Sequence, residues 1–323
     1  MAEKLAVGVD LGGTNCRAAL VREDGEIIRH VRRTSEPGRG AETVMGSLAE
    51  MVHELIQQQN ISRDDIVGLG IGAPGPLSHR DGIIYRSANL PGWENVRIRR
   101  GLLERTGLPT ILDNDANAAA LAEYWVGAGK GVKQLVVLTL GTGIGSGVII
   151  NGEVLRGHFE NAAELGHTIV AARGRPCSCG QCGCLEQYAA PGGVSRHCIE
   201  RLRSGEKSTL SEVLKSSGHF GSRVIAEAAQ QGDRLAMELW DEACFYLAVG
   251  CVNIQHAFNP EMLVLAGGMT KAGDFLLSRV KEHFEKMHWQ LHNDAPDITI
   301  STLGNDAGVI GAAGLAWTAR ENV

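Results

Sequence analysis

Four cysteines crowd into eight positions, Cys177-Ser-Cys179-Gly-Gln-Cys182-Gly-Cys184, with His167 upstream and Glu164 and Glu186 bracketing the set. Zinc takes four nitrogen or sulfur ligands at tetrahedral corners, and one His with three Cys supplies them. The interleaved glycines let a short loop fold around a metal. Buried free thiols are the plainer alternative, and spacing alone leaves open which three cysteines bind. The chain has 323 residues and eight cysteines. Met1-Ala2-Glu3-Lys4 runs straight into a strand pattern rather than a signal peptide, so metal is expected before disulfides.

A second kind of chemistry is suggested at Asp10-Leu-Gly12-Gly13-Thr14, which ends an apolar run. Paired glycines let backbone N–H groups approach phosphate oxygens without a Cβ in the way, and Thr14 adds a hydroxyl. Asp10 is placed to hold Mg²⁺, directly or through water. A simple hairpin turn is the competing reading, and no Lys-Ser/Thr ending makes this a Walker loop. Gly141-Thr142-Gly143-Ile-Gly145 is a loop of the same kind, and Gly267-Gly268 is a third glycine turn. Together they suit an extended polyphosphate and the adenosine beyond it. Asp115 follows a short apolar strand at the start of a helical pattern. It reads either as a helix cap or as a general base that accepts the proton of an attacking hydroxyl.

These residues need elements to hold them. Runs at 5–11, 16–21 and 26–31 predict an antiparallel meander, with a turn at Asp24-Gly25. A helix is expected over 41–59, a buried strand over 66–71, a strand at 110–112 and a helix from 116 to about 126. The strand–glycine turn–strand pattern then restarts at 135–140 and 147–150, about 130 residues on, which points to an internal duplication. Leu235, Leu239, Ala243, Leu247, Cys251, Ile254 and Phe258 share one helical face that Pro260 terminates. Strand 262–266 and a closing helix over 308–319 complete an α/β pattern. The polar stretch 204–222 reads as an irregular insertion.

Composition sets limits. The net charge is −6 and 44% of residues are apolar, which is ordinary globular balance with no basic stripe for nucleic acid. The run Arg97-Ile-Arg-Arg100 reads as a solvated helix face. No stretch reaches the ~18 apolar residues of a membrane span. A cytoplasmic protein is expected.

Jointly, these motifs resemble the ROK family of sugar kinases and repressors over nearly the whole chain. Asp10–Thr14 and Leu140–Gly145 look like its phosphate loops. Gly70-Ile-Gly-Ala-Pro-Gly75-Pro76 and Asn89-Leu-Pro-Gly-Trp93 look like its sugar-side loops, and Asn114-Asp115-Ala-Asn117 its catalytic segment. Glu164-Leu-Gly-His167 and the Cys177–Glu186 run match its signature. The resemblance implies an actin-like ATPase domain fold, ribonuclease H-like and duplicated, with two lobes around a cleft. The expected small lobe is 1–124 plus 305–323 and the large lobe 125–304. Asp115 is then the base, and Gly75, Asn89, Asn114, Glu164, His167 and Glu186 face the sugar. Asp10, Gly12, Gly13, Thr14, Gly141, Thr142, Gly143, Gly267 and Gly268 face nucleotide. His167, Cys177, Cys179 and Cys184 would bind structural zinc, leaving Cys182 out. Asn15 stands where many members have Lys, and Glu160 and Ala163 where Gly is common.

The implied reaction is transfer of the γ-phosphoryl of MgATP to a hexose, with glucose giving glucose 6-phosphate. Fructose, allose, mannose and N-acetylated amino sugars are alternative acceptors. A sugar-sensing transcriptional regulator is the alternative class, but such relatives add an N-terminal DNA-binding module for which a phosphate loop starting at residue 10 leaves no room. A homodimer or dimer of dimers is expected by analogy with the family.

Overall fold

The computed structural model describes residues 3–59, 61–290 and 294–321. The chain divides into two units: Met1–Lys133, Gly147–Ala163 and Thr302–Val323 form the first, and Gln134–Ser146 and Glu164–Ser301 the second. In chain order the first stretch carries β1 (Leu5–Leu11), β2 (Asn15–Val21), β3 (Ile27–Thr34), α1 (Ala41–Gln58), β4 (Ile66–Ala73), β5 (Leu77–Ser78), β6 (Ile83–Ser87), β7 (Leu90–Val96), α2 (Ile98–Thr106), β8 (Thr110–Asn114) and α3 (Asp115–Trp125). Then follow β9 (Gln134–Leu140), β10 (Ile144–Ile150), β11 (Glu153–Val154), α4 (Glu186–Ala189), α5 (Pro191–Arg203), α6 (Leu210–Ser217), α7 (Ser222–Gln230), α8 (Arg234–Phe258), β12 (Met262–Ala266), α9 (Asp274–Met287), β13 (Asp297–Ile300) and α10 (Ala307–Glu321).

The first unit is built on a sheet of order β3-β2-β1-β4-β8. β1 pairs antiparallel with β2 and parallel with β4, and β4 runs parallel to β8. Period-two alternation sends Leu5, Val7, Val9 and Leu11 to one face, where the apolar side of α1 (Leu48, Met51, Val52, Leu55) meets them. Ala6, Ala19 and Val21 face the other way, onto Val309, Ala313 and Trp317 of α10. That second face is lined by small residues because α10 lies unusually close. A Cβ on Gly70 of β4 would collide with the carbonyl of Ala312, and one on Gly311 with the carbonyl of Ala118 in α3.

The second sheet has the order β11-β10-β9-β12-β13, the same connectivity as the first. β9, β12 and β13 run parallel, while β10 and β11 form an antiparallel hairpin. The duplication expected from the two strand–glycine–strand runs is thus present in the topology. α8 follows the expected face, with Leu235, Leu239, Ala243, Leu247, Cys251 and Ile254 all buried.

One feature went unread and one expectation is corrected. The three-stranded sheet β5-β6-β7 had no expectation, since its strands alternate too briefly to register. The stretch 204–222 is not wholly irregular, because it holds α6. Leu210 anchors that helix in the core, and Asp233 fixes its start by accepting from the Ser208 hydroxyl at 2.9 Å and the Thr209 N–H at 2.6 Å. A single buried leucine leaves no period to read. Among the described residues, no helix is long and apolar enough to cross a membrane.

Candidate functional site

In the first unit, β8 delivers Asn114 and Asp115 to the mouth of α3. Asn114 is the helix cap: its Oδ1 accepts from the N–H groups of Ala116 at 2.9 Å and Asn117 at 3.4 Å. Of the two readings of Asp115, cap or base, the structure gives the cap to Asn114 instead. With the cap occupied by Asn114, Asp115 begins the helix with one oxygen receiving the Ala116 N–H at 2.8 Å. Its carboxyl keeps a partly open face but lies among protein atoms that push its pKa up, countered by that N–H. The residue before the pair is fixed in turn. Buried Asp113 accepts from Arg156 Nε at 2.9 Å and Nη2 at 2.7 Å, and from Asn117 Nδ2 at 2.9 Å.

Asp10 lies at the end of β1. Burial, and secondarily the Asp115 charge, raise its pKa to about 6, while Arg17 works against both. The turn that follows closes through the Gly12 N–H on the Asn15 carbonyl at 3.0 Å. Gly13 comes so close to the segment before β7 that a Cβ there would stand 2.8 Å from the Asn89 carbonyl. Gly75, Asn89, Asn114, Asp115, Asp10 and the 12–14 turn therefore all belong to this unit. Asn114 Nδ2 lies 3.5 Å from where a Cβ on Gly75 would be.

The second unit gathers the remaining candidates. The Glu186 carboxylate lies over Gly143, where a Cβ would stand 2.4 Å from its Oε2 and displace it. Gly267, at φ 92°, packs on the backbone of Leu140, where a Cβ would come within 2.6 Å of the carbonyl. The 141–143 and 267–268 turns thus meet. Glu164 precedes and His167 ends a short 3-10 turn whose Leu165 N–H donates to buried Ser146 Oγ at 2.9 Å.

His167, Cys177, Cys179 and Cys184 present their ligand atoms within 4.8 Å of one another. His167 Nδ1 is 3.7 Å from Cys177 Sγ, and Cys179 Sγ is 3.6 Å from Cys184 Sγ. A tetrahedron with Zn–S bonds of about 2.3 Å places its sulfurs about 3.8 Å apart, so this donor set fits zinc. Cys182 is outside the group and exposed. Glu186 is tied to the cluster: its Oε1 accepts from Cys177 Sγ at 3.2 Å and from Gln187 Nε2 at 3.0 Å.

Against known proteins, the model of the ROK family matches residues 6–319. The chain belongs to the ROK family. A glucokinase of Halalkalibacterium halodurans is 38% identical over 98% of this chain and 96% of its own. A ROK hexokinase structure from Thermus thermophilus superposes with a TM-score of 0.81 at 33% identity, covering 99% of this chain and 100% of that one. A ROK glucokinase of Streptomyces griseus, solved with glucose and AMPPNP, gives 0.82 at 31% identity over 97% and 99%. The actin-like ATPase fold expected from the motifs is that of these ROK structures.

The sequence reading of this ROK chain missed the residues that hold its candidates. Asp113 and Arg156 lie 43 positions apart and carry no motif. Gln187 binds both Glu186 and Cys177 Sγ, and is itself held by Arg196 Nη2 at 2.8 Å. The one available signal was an Asp directly before Asn114-Asp115, a charged residue ending an apolar strand.

Proposed function

We propose that this ROK protein is an ATP-dependent hexose kinase that transfers the γ-phosphoryl group of MgATP to glucose. The observation that carries the reading is Asp115: a carboxylate freed from helix capping by Asn114, raised in pKa by burial, and set beside Asp10 in charge range. It is suited to take the proton of a sugar hydroxyl as that oxygen attacks phosphorus. Asp10 is the carboxylate for Mg²⁺, which when bound offsets phosphate charge. Backbone N–H groups of the 12–14 and 141–143 turns hold phosphoryl oxygens.

Asn114 spends its carbonyl on the helix and keeps its amide for a sugar oxygen. Glu164, His167 and Glu186 bind the other hydroxyls. His167, Cys177, Cys179 and Cys184 hold zinc, which when bound is structural. With Nδ1 directed at the thiols, His167 keeps Nε2 for the sugar, so the loop sets the ring's orientation. Asp115 and paired glycine turns have no use in a protein that only senses a sugar, which places the kinase ahead of the regulator. The chain is read as a cytoplasmic homodimer or dimer of dimers.

The test is ADP formation from MgATP against a panel of hexoses. Turnover with glucose, weak with fructose, allose, mannose and N-acetylated amino sugars, supports the reading. Sugar binding without turnover on any hexose rejects it.

A further inference from the structure

The segment 157–163 holds two non-glycine residues in the left-handed region, Glu160 at φ 59° and Ala163 at φ 64°. A Cβ is disfavoured there, and glutamate lacks the short side chain that lets Asn or Asp tolerate it. Such a conformation persists only where the surroundings enforce it. Here the carboxylate of Glu160 reaches 80-odd positions back along the chain. Its Oε2 accepts from Ser78 Oγ at 2.6 Å, and its Oε1 from the Arg80 N–H at 3.2 Å. Ser78 is 1% exposed. Its hydroxyl also lies 3.2 Å from Asp81 Oδ2, but its one proton goes to the shorter contact. The next residue repeats the gesture: Asn161 Oδ1 accepts from the Leu77 N–H at 3.0 Å. Three groups of one turn, at 77, 78 and 80, are thus held by two adjacent side chains.

Gly75 and Pro76 lead directly into this segment, which opens with β5. The spot a Cβ would take on Gly75 lies 3.5 Å from Asn114 Nδ2 and 3.7 Å from Asn161 Oδ1. Asn161 is solvent-facing and contributes nothing to the core. We infer that Glu160 and Asn161 are positioning residues: they clamp the 77–80 turn to segment 157–163 and so set where Gly75 and Asn114 meet a hexose. The inference rests on the hexose-kinase reading above.

Three variants test it with glucose as the probe. Glu160→Gly removes the carboxylate and suits the left-handed backbone. The thermal midpoint should hold or rise while KM for glucose rises on the order of tenfold, with kcat and KM for ATP within about twofold. Asn161→Ala should move KM for glucose the same way. Glu160→Gln keeps one acceptor, for the Arg80 N–H, and its amide can donate to Ser78 Oγ while that hydroxyl turns its proton to Asp81, so it should bring KM back to within about threefold of the native protein. An unchanged KM in Glu160→Gly overturns the inference, as does a Gln variant no better than Gly. A KM rise matched by falling stability and a rising KM for ATP also overturns it. Absence of turnover with any hexose in the native protein fails the kinase reading instead. The clamp is then read by hydrogen exchange at the Leu77 and Arg80 amides. Exchange about tenfold faster in Glu160→Gly supports it, and unchanged exchange rejects it.

Discussion

Asp115 and Asp10 illustrate how single side chains trade fold stability for chemistry. Replacing Asp115 with Asn should preserve glucose binding and lower kcat by about 10²–10⁴-fold, the usual worth of a general base. Single-turnover kinetics with calorimetric glucose binding check it. Asp10 has a stability signature as well. Its folded-state pKa of about 6 exceeds the ordinary 3.8, so the folded chain holds that proton more tightly than the unfolded one. Stability without ligands should fall as pH rises from about 4 to 6 and stay lower above that. The loss is at most about 3 kcal/mol. Asp10→Asn should therefore raise the unliganded melting temperature at pH 8, leave it unchanged at pH 4, and abolish turnover. Urea titrations at the two pH values measure the difference. At this scale the sequence was most informative where residue type alone constrains chemistry, as with four Cys in eight positions. It left Asp115 open between cap and base and did not single out Asn114 as the cap, because the two are adjacent and both are good caps. Only the backbone angles decide between them.

Short elements turn these residues into a surface. The 177–187 loop ties Glu186, proposed to bind sugar, to Cys177, proposed to bind zinc, through a direct hydrogen bond and through Gln187. Stripping zinc with a chelator should raise KM for glucose about 10–100-fold, the range for lost metal-site orientation, and lower the thermal midpoint. Restoring zinc should reverse both, with metal content followed by atomic absorption. Trp93 makes a quieter case. It is 1% exposed, and its Nε1 has no partner. Trp93→Phe removes an unsatisfied donor along with some packing, so stability should change by less than about 1 kcal/mol. Denaturant midpoints check this. Periodicity exposed the long elements, such as α1 and α8, because each repeats its apolar positions over several turns. It missed β5 to β7 and α6, whose few residues are held by partners distant in sequence, such as Asp233.

Across the molecule, glycine placement does the work that bulky side chains do elsewhere. Gly311→Ala puts a Cβ against the carbonyl of Ala118, and overpacking of this kind costs about 1–3 kcal/mol. The same change at Gly268, where nothing lies within 4 Å, should cost far less, and paired thermal melts test the contrast. The repeated sheet order was legible from two glycine-ended strand runs. The close seat of α10 was not, because Gly and Ala give no amphipathic signal. That seat has a consequence for how the protein is made. β1 is made about 300 residues before the helix that closes its inner face. At 5–20 residues per second, the first unit waits roughly 15–60 s for its final helix, with the alanine face of β1 and β2 exposed throughout. The second unit's strands and α8 are complete before that. A nascent chain should therefore complete the second unit's strands before the first unit's sheet is covered, and the interval between them is when a chaperone has something to hold.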